Sequence, residues 1–180
     1  MENLWRQLNT GPNAPDNIYA IIEIPKGSRN KYEYHKEHGV IFLDRVLYSS
    51  MHYPGDYGLI PRTFCEDGDP LDVLVMMTEP TFPGCVVRCR PIGIFRMLDK
   101  GDEDFKILAV PENDPLHGDY HDIADIPQHF MSEVSHFFKV YKDLEQSHVE
   151  VVGWEGVEAA KAEIVRAQEL YRQRFGFKDI

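Results

Sequence analysis

VVRCRPIGIFRMLDKGDEDFKILAVP, residues 86–111, reads as two long β-strands folded back on each other around a charged turn. Val86 to Leu98 is dense in apolar residues, and Phe105 to Pro111 is a second apolar run. The intervening DKGDED has no apolar residue and a central glycine, so the two runs are expected to pair as an antiparallel hairpin. Pro91 and Gly93 lie inside the first run, where they predict a bulge or sharp bend.

Upstream, LDVLVMM (Leu71 to Met77) is another apolar strand, and KYEYH from Lys31 alternates charge and ring at period two. VIFLDRVL from Val40 continues that pattern after a turn at Gly39, and IYAIIEIP (Ile18 to Pro25) is a β-branched strand closed by Lys26-Gly27, so a meander is expected. The segment through Pro15 reads as a short arm in which Leu4, Trp5 and Leu8 form one helical turn. Downstream, Phe130, Val134, Phe137, Phe138 and Tyr141 have helical spacing behind Pro127, predicting a helix to about Leu144. Val149 to Val152 is a short strand, and Val157, Ala160, Ile164, Ala167 and Tyr171 mark a second helix that stops at Gly176. Strands first and helices last predict an α+β fold, one domain over residues 1–180 with an arm at 1–15, around a strongly bent or closed antiparallel sheet.

The chain has 180 residues, 43% hydrophobic and 27% charged, which is ordinary globular composition and excludes disordered and collagen-like chains. Nineteen basic against thirty acidic residues leave a formal charge of −11, the wrong sign for holding nucleic-acid phosphates, so cations are the expected partners. Cys65, Cys85 and Cys89 form no C-x-x-C pair and are expected to be free thiols. No run approaches a signal peptide or membrane span, and a cytoplasmic setting is expected.

DGDPLD places Asp67, Asp69 and Asp72 in six residues before an apolar strand. Acidic hexamers are common in solvated loops, but Asp72 lies inside LDVLV, where an unpaired carboxylate is costly without a cation or several donors. A calcium EF-hand loop is excluded, because the fifth and sixth positions hold Leu71 and Asp72 instead of an oxygen ligand and glycine. The hairpin turn adds Asp99 and Asp104 on opposite stems, a workable bite for an oxygen-coordinated Mg²⁺. If turn and hexamer face each other, each like-charged pair costs roughly 3 kcal/mol at ~6 Å and an effective dielectric of ~20, so the cluster demands metal.

Lys31, Arg45, Lys106 and Lys142 are isolated cations near element ends, and Tyr53, Tyr57 and Tyr141 offer uncharged hydroxyl donors. Each alone reads as solvated charge or rim packing; together with the carboxylates they describe a site for a metal-bound phosphate compound. HKEH (His35 to His38) has neither zinc-protease spacing and reads as surface charge, His117 and His121 read as loop residues, and no nucleotide-binding glycine loop or serine elbow occurs. A metal-dependent phosphoesterase or nuclease would also use clustered aspartates, but no basic stripe is present for a polynucleotide. A noncatalytic binding barrel would not need the five aspartates together.

IEIP with Glu23, KYE with Lys31 and Glu33, DR with Arg45, YPGDYG, DGDPLDVLV, LDKGDEDFK and HFFKVYKDLE occur in this order from about residue 19 to the final helix. This series closely resembles family I inorganic pyrophosphatase of the short prokaryotic type. The resemblance implies an OB-like five-stranded antiparallel barrel with two main helices packed on it, and hydrolysis of pyrophosphate with several Mg²⁺ ions, Mn²⁺ or Zn²⁺ being conceivable substitutes. It implies Asp67, Asp72, Asp99 and Asp104 as main metal ligands with Glu23 and Glu33 at the edge of the cluster, and Asp69 orienting or deprotonating the attacking water. Lys31, Arg45, Tyr57, Lys106, Tyr141 and Lys142 would hold substrate oxygens, in a homohexamer with no nucleic-acid or membrane partner.

Overall fold

The computed structural model describes residues 3–176; the ends of the expected 1–180 domain and of its 1–15 arm lie outside them. The sequence folds around the strand singled out first. That strand, β6 (Val86–Asp99), follows β1 (Ile18–Ile24), β2 (Asn30–His35), β3 (Val40–Val46), β4 (Asp56–Leu59) and β5 (Asp72–Val75). It is followed by the two-residue β7 (Asp102–Glu103), β8 (Lys106–Pro111) and β9 (Val149–Gly156). The helices are α1 (Leu4–Gln7), α2 (Gln128–Val140) and α3 (Val157–Phe175).

Pairing β1 to β4, β4 to β5, β5 to β8, β8 to β6 and β6 back to β1 closes a ring of five strands. β6 makes closure possible: its start pairs with β1, its middle with β8, and its end with β9. The register slips between Pro91 and Gly93, the bulge expected there. The β6–β8 hairpin is antiparallel as expected.

Two expectations are corrected. The ring is mixed, because β5 and β8 run parallel with Asp72 opposite Lys106. The meander is also broken: β2 and β3 form a separate two-stranded ribbon, while β1 pairs with β4 and β6. β4 comes from YPGDYG, which carries turn residues, and Gly58 is required there because a Cβ would lie 2.0 Å from the Ile21 carbonyl oxygen. α2 ends at Val140, short of Leu144, and a separate 3-10 turn spans Asp143–Glu145.

Alternate side chains of β5 and β8 enter two cores, which explains their unbroken apolar sequences. Val73, Val75, Ile107 and Ala109 pack with Ala160, Ile164 and Ala167 of α3. Leu74, Leu108 and Val110 pack with Val134, Phe137 and Phe138 of α2. The short alanines let α3 lie close to the ring, and the α2 aromatics carry Tyr141 and Lys142 to its rim. The three cysteines are free, and burial pushes the Cys65 and Cys89 thiols up, making them poor nucleophiles.

Candidate active site

Every strand end on one side of the ring contributes to a cleft of about 630 Å³. Asp72 and Lys106 are the first residues of β5 and β8, so the parallel register sets them side by side. Lys106 is 3% exposed, and its Nζ donates to Asp72 Oδ2 at 2.5 Å and also to Asp104 on the hairpin stem. Burial works against its charge, but Asp104 and Asp72 outweigh it and hold the ammonium well above its ordinary pKa. Tyr57 on β4 donates its hydroxyl to Asp72 Oδ2 at 2.5 Å.

Asp72 is nonetheless held above the ordinary aspartate range, by burial first and the Asp104 charge next, against Lys106 and Tyr57. Burial likewise raises Asp67, whose Oδ1 accepts from the Asp69 amide at 3.0 Å. Asp99 closes β6 and accepts from Lys142 Nζ at 2.5 Å. Burial keeps the Tyr57 and Tyr141 hydroxyls protonated, so both serve the cleft as neutral donors.

The β2–β3 ribbon forms the opposite wall. Lys31 pairs with Glu33 and with Asp44 Oδ2 at 3.1 Å, and Glu23 accepts from the Tyr34 amide at 2.6 Å. The residues singled out from the sequence as ligands, substrate contacts or hydroxyl donors line this cleft, with two exceptions, Arg45 and Tyr53. Arg45, opposite Lys31 in the ribbon, instead grips Glu145 with Nε and with Nη2 at 3.0 Å, and also pairs with Asp44. Tyr53 is buried against Phe137 and Tyr57 and does not line the cleft.

Of the cleft residues not singled out for the site in sequence, one contacts a candidate aspartate through its side chain. Lys36, in the HKEH stretch read as surface charge, donates to the Gly68 carbonyl at 2.9 Å and pairs with Asp69. Nothing in its local pattern separates it from a solvated turn lysine. The remaining aspartate of YPGDYG, Asp56, has a structural role: its buried carboxylate accepts from the Lys26 amide at 2.8 Å and the Thr81 amide at 2.9 Å.

The donor set fits a hard divalent cation, being all oxygen, with Asp72 and Asp104 close enough to share one ammonium. Among the described residues no three carboxylate, imidazole or thiolate groups converge as a closed metal cage, because lysine ammoniums stand between the aspartates.

Glu23 gives the cleft a pH signature. Burial, and then the charge of Asp72, push its carboxyl from 4.5 up to about 8. The folded chain thus keeps a proton that the unfolded chain loses, and this stability, complete below pH 4.5, disappears as pH rises through about 8. In chelator the melting temperature is expected to fall across that window, and Glu23→Gln to flatten the fall. At ~2–4 °C per kcal/mol for a chain of this size, the variant gains several degrees at the alkaline end. Thermal melts across the window check this; parallel slopes for the two proteins would remove Glu23 as the cause.

A family model described as inorganic pyrophosphatase matches residues 20–172. The inorganic pyrophosphatase of Haloferax volcanii is 51% identical over 176 residues, covering 97% of this chain and 99% of that protein. The inorganic pyrophosphatase of Picrophilus torridus is 47% identical over 169 residues, covering 94% and 96%. In structure, the chain is similar to inorganic pyrophosphatase from Thermus thermophilus, with a TM-score of 0.91 at 42% identity, covering 95% of this chain and 99% of that one.

Proposed function

Because the chain belongs to the inorganic pyrophosphatase family and is a hydrolase of the phosphoanhydride bond, we propose that it splits pyrophosphate in the acidic cleft with the help of several Mg²⁺ ions. Mn²⁺ or Zn²⁺ are the substitutes its donor set could accept. The observation that carries this reading is the pairing of carboxylate with ammonium across the cleft, Asp72 and Asp104 with Lys106 and Asp99 with Lys142. A cation–pyrophosphate complex matches both halves: the aspartates turn to the cations and the lysines to the anion, with no buried charge left alone.

Asp67, Asp72, Asp99 and Asp104 would hold the cations, with Glu23 and Glu33 at the edge. When bound, divalent cations supply charge neutralisation and lower the pKa of a coordinated water. The chain does the rest. Lys31, Lys106 and Lys142 act as point charges on substrate oxygens, while Tyr57 and Tyr141 donate hydrogen bonds without adding charge. Arg45 joins from the rim by exchanging Glu145 for a phosphate oxygen. Asp69, more solvent-open than Asp72, Asp99 and Asp104, takes the proton of the attacking water, and Lys36 holds it in place. Catalysis of this kind is mainly positioning and charge stabilisation.

We read the chain as a single catalytic domain assembling into a homohexamer, as its resemblance to the short prokaryotic members implies. Exposed Phe42, Leu43, Val46 and Tyr48 supply apolar surface for such contacts. Three free cysteines suit a reducing cytoplasm, and among the described residues no helix is long and apolar enough to cross a membrane.

Phosphate release tests the reading. Pyrophosphate with Mg²⁺ should be hydrolysed, a phosphomonoester and single-stranded DNA should not, and excess chelator should abolish the reaction. Ca²⁺ in place of Mg²⁺ should weaken it, because longer and looser coordination spoils the alignment of substrate and nucleophile. Full activity in chelator would sink the metal-dependent reading.

A further inference from the structure

Behind the cleft lies a second cavity of about 530 Å³, and Asp67, Asp72 and Asp104 line both. With Pro70, these three carboxylates are the residues the two spaces share. The rear cavity also presents Glu66, Asp102, Glu103 and Glu163, with Arg166 as the cation among its lining residues.

Arg166 sits on α3, 40% exposed at its side chain. Its Nη2 pairs with Glu66 Oε1 at 2.7 Å, and its Nη1 pairs with Glu163 Oε1 at 2.8 Å and with Glu103 Oε2 at 4.0 Å. Glu163 is buried on the same helix and holds the guanidinium at Nη1. The other two glutamates immediately precede Asp67 and Asp104 in sequence, on separate segments. Local hydrogen bonds hold each segment to itself, through the Cys65 amide to the Asp69 carbonyl and the Asp104 amide to the Met97 carbonyl.

We propose that Arg166 is a positioning residue: from α3 it spans the segments that carry Asp67 and Asp104 and sets the spacing of the carboxylates that face the cleft. Isolated surface ion pairs usually contribute little. A planar guanidinium with several donors, anchored to its own helix through Glu163, can instead hold two segments at once. The inference rests on the reading that Asp67, Asp72 and Asp104 take the cation.

Coulomb's law and bracing predict opposite signs. As a mere charge, Arg166 repels a cation in the cleft, so its removal would tighten Mg²⁺ binding. As a brace, its removal loosens binding, and partners lying beyond the ligands of a metal typically change affinity by about 10–100-fold.

Mg²⁺ titration of the metal-free protein by calorimetry, at fixed ionic strength, separates these. Arg166→Gln and Arg166→Lys both suit an exposed helix position. Arg166→Gln should need about tenfold more Mg²⁺, the low end of that range because Arg166 acts through the glutamates. Arg166→Lys should recover only part of the loss, since one ammonium cannot span both segments. In turnover, the half-saturating Mg²⁺ concentration should rise while kcat at saturating Mg²⁺ stays within about twofold, a split that general weakening of the fold would not give. Unchanged or tighter binding in Arg166→Gln, or full recovery in Arg166→Lys, would overturn the brace. Asp104→Asn serves as the control on the underlying reading. If it binds Mg²⁺ as the parent does, the metal site is misplaced and the brace falls with it; if it loses binding while Arg166→Gln does not, only the brace is wrong.

Discussion

Asp72→Asn is expected to melt higher than the parent chain in chelator and lower in Mg²⁺, and to lose more than about 100-fold in turnover, since even groups beyond the ligands cost about 10–100-fold. The stability half follows from the raised carboxyl. Burial and Asp104 lift its pKa, so ionising this carboxyl weakens the fold, and a neutral isostere relieves that. The substitution leaves no ammonium stranded, because Lys106 keeps Asp104, and Tyr57 keeps an oxygen to donate to. Mg²⁺ reverses the order because ligand binding stabilises the parent by about 2.7 kcal/mol at 100-fold saturation, an increment the variant has lost with its ligand. Melts of both proteins with chelator and with Mg²⁺ decide the matter. If Asp72→Asn melts lower in chelator and gains the full Mg²⁺ increment, Asp72 is a hydrogen-bonded structural residue and the site is wrong at its centre.

Asp69→Asn is expected to slow turnover by roughly 10²–10⁴, the range for losing a positioned general base, while Mg²⁺ binding survives. The geometry separates Asp69 from its neighbours. Its side chain is 62% exposed, and its carboxylate pairs with Lys36 at the cleft edge, whereas Asp72 and Asp104 share the buried Lys106. Loss of an exposed pair changes stability by only about 0–1 kcal/mol, so melts should barely move. Single-turnover rates and Mg²⁺ titration check both halves; unchanged turnover with lost Mg²⁺ binding would show that Asp69 is a ligand and not the base.

Much of this was legible in the residues, for identifiable reasons. Asp72 could be found because a carboxylate inside LDVLV has no ordinary explanation, and the bulge at Pro91 and Gly93 because those residues interrupt a strand by their own chemistry. β4 was hidden because Asp56 and Gly58 are turn formers, whereas here Asp56 satisfies loop amides and Gly58 admits a crossing backbone. The parallel β5–β8 pairing was out of reach because periodicity reports a strand and its faces, not its neighbours or their direction. Arg45 and Lys36 failed in opposite ways: a ribbon residue turned to Glu145, and a turn lysine folded over onto Asp69. Long flexible cations reveal their partners only in three dimensions.

The parallel register of β5 and β8 also governs when the molecule becomes competent. Asp72 and Lys106 lie 34 residues apart, and parallel neighbours cannot be joined by a tight turn. The chain must first bend through β6 and return through the hairpin before the ammonium reaches the carboxylates, a non-local closure of the kind that slows folding. A nascent chain halted after DGDPLDVLV therefore carries Asp72 without Lys106 and without a closed cleft. Hydrolytic competence arrives with topological closure, and neither half of this molecule can be inherited as a working module without the other.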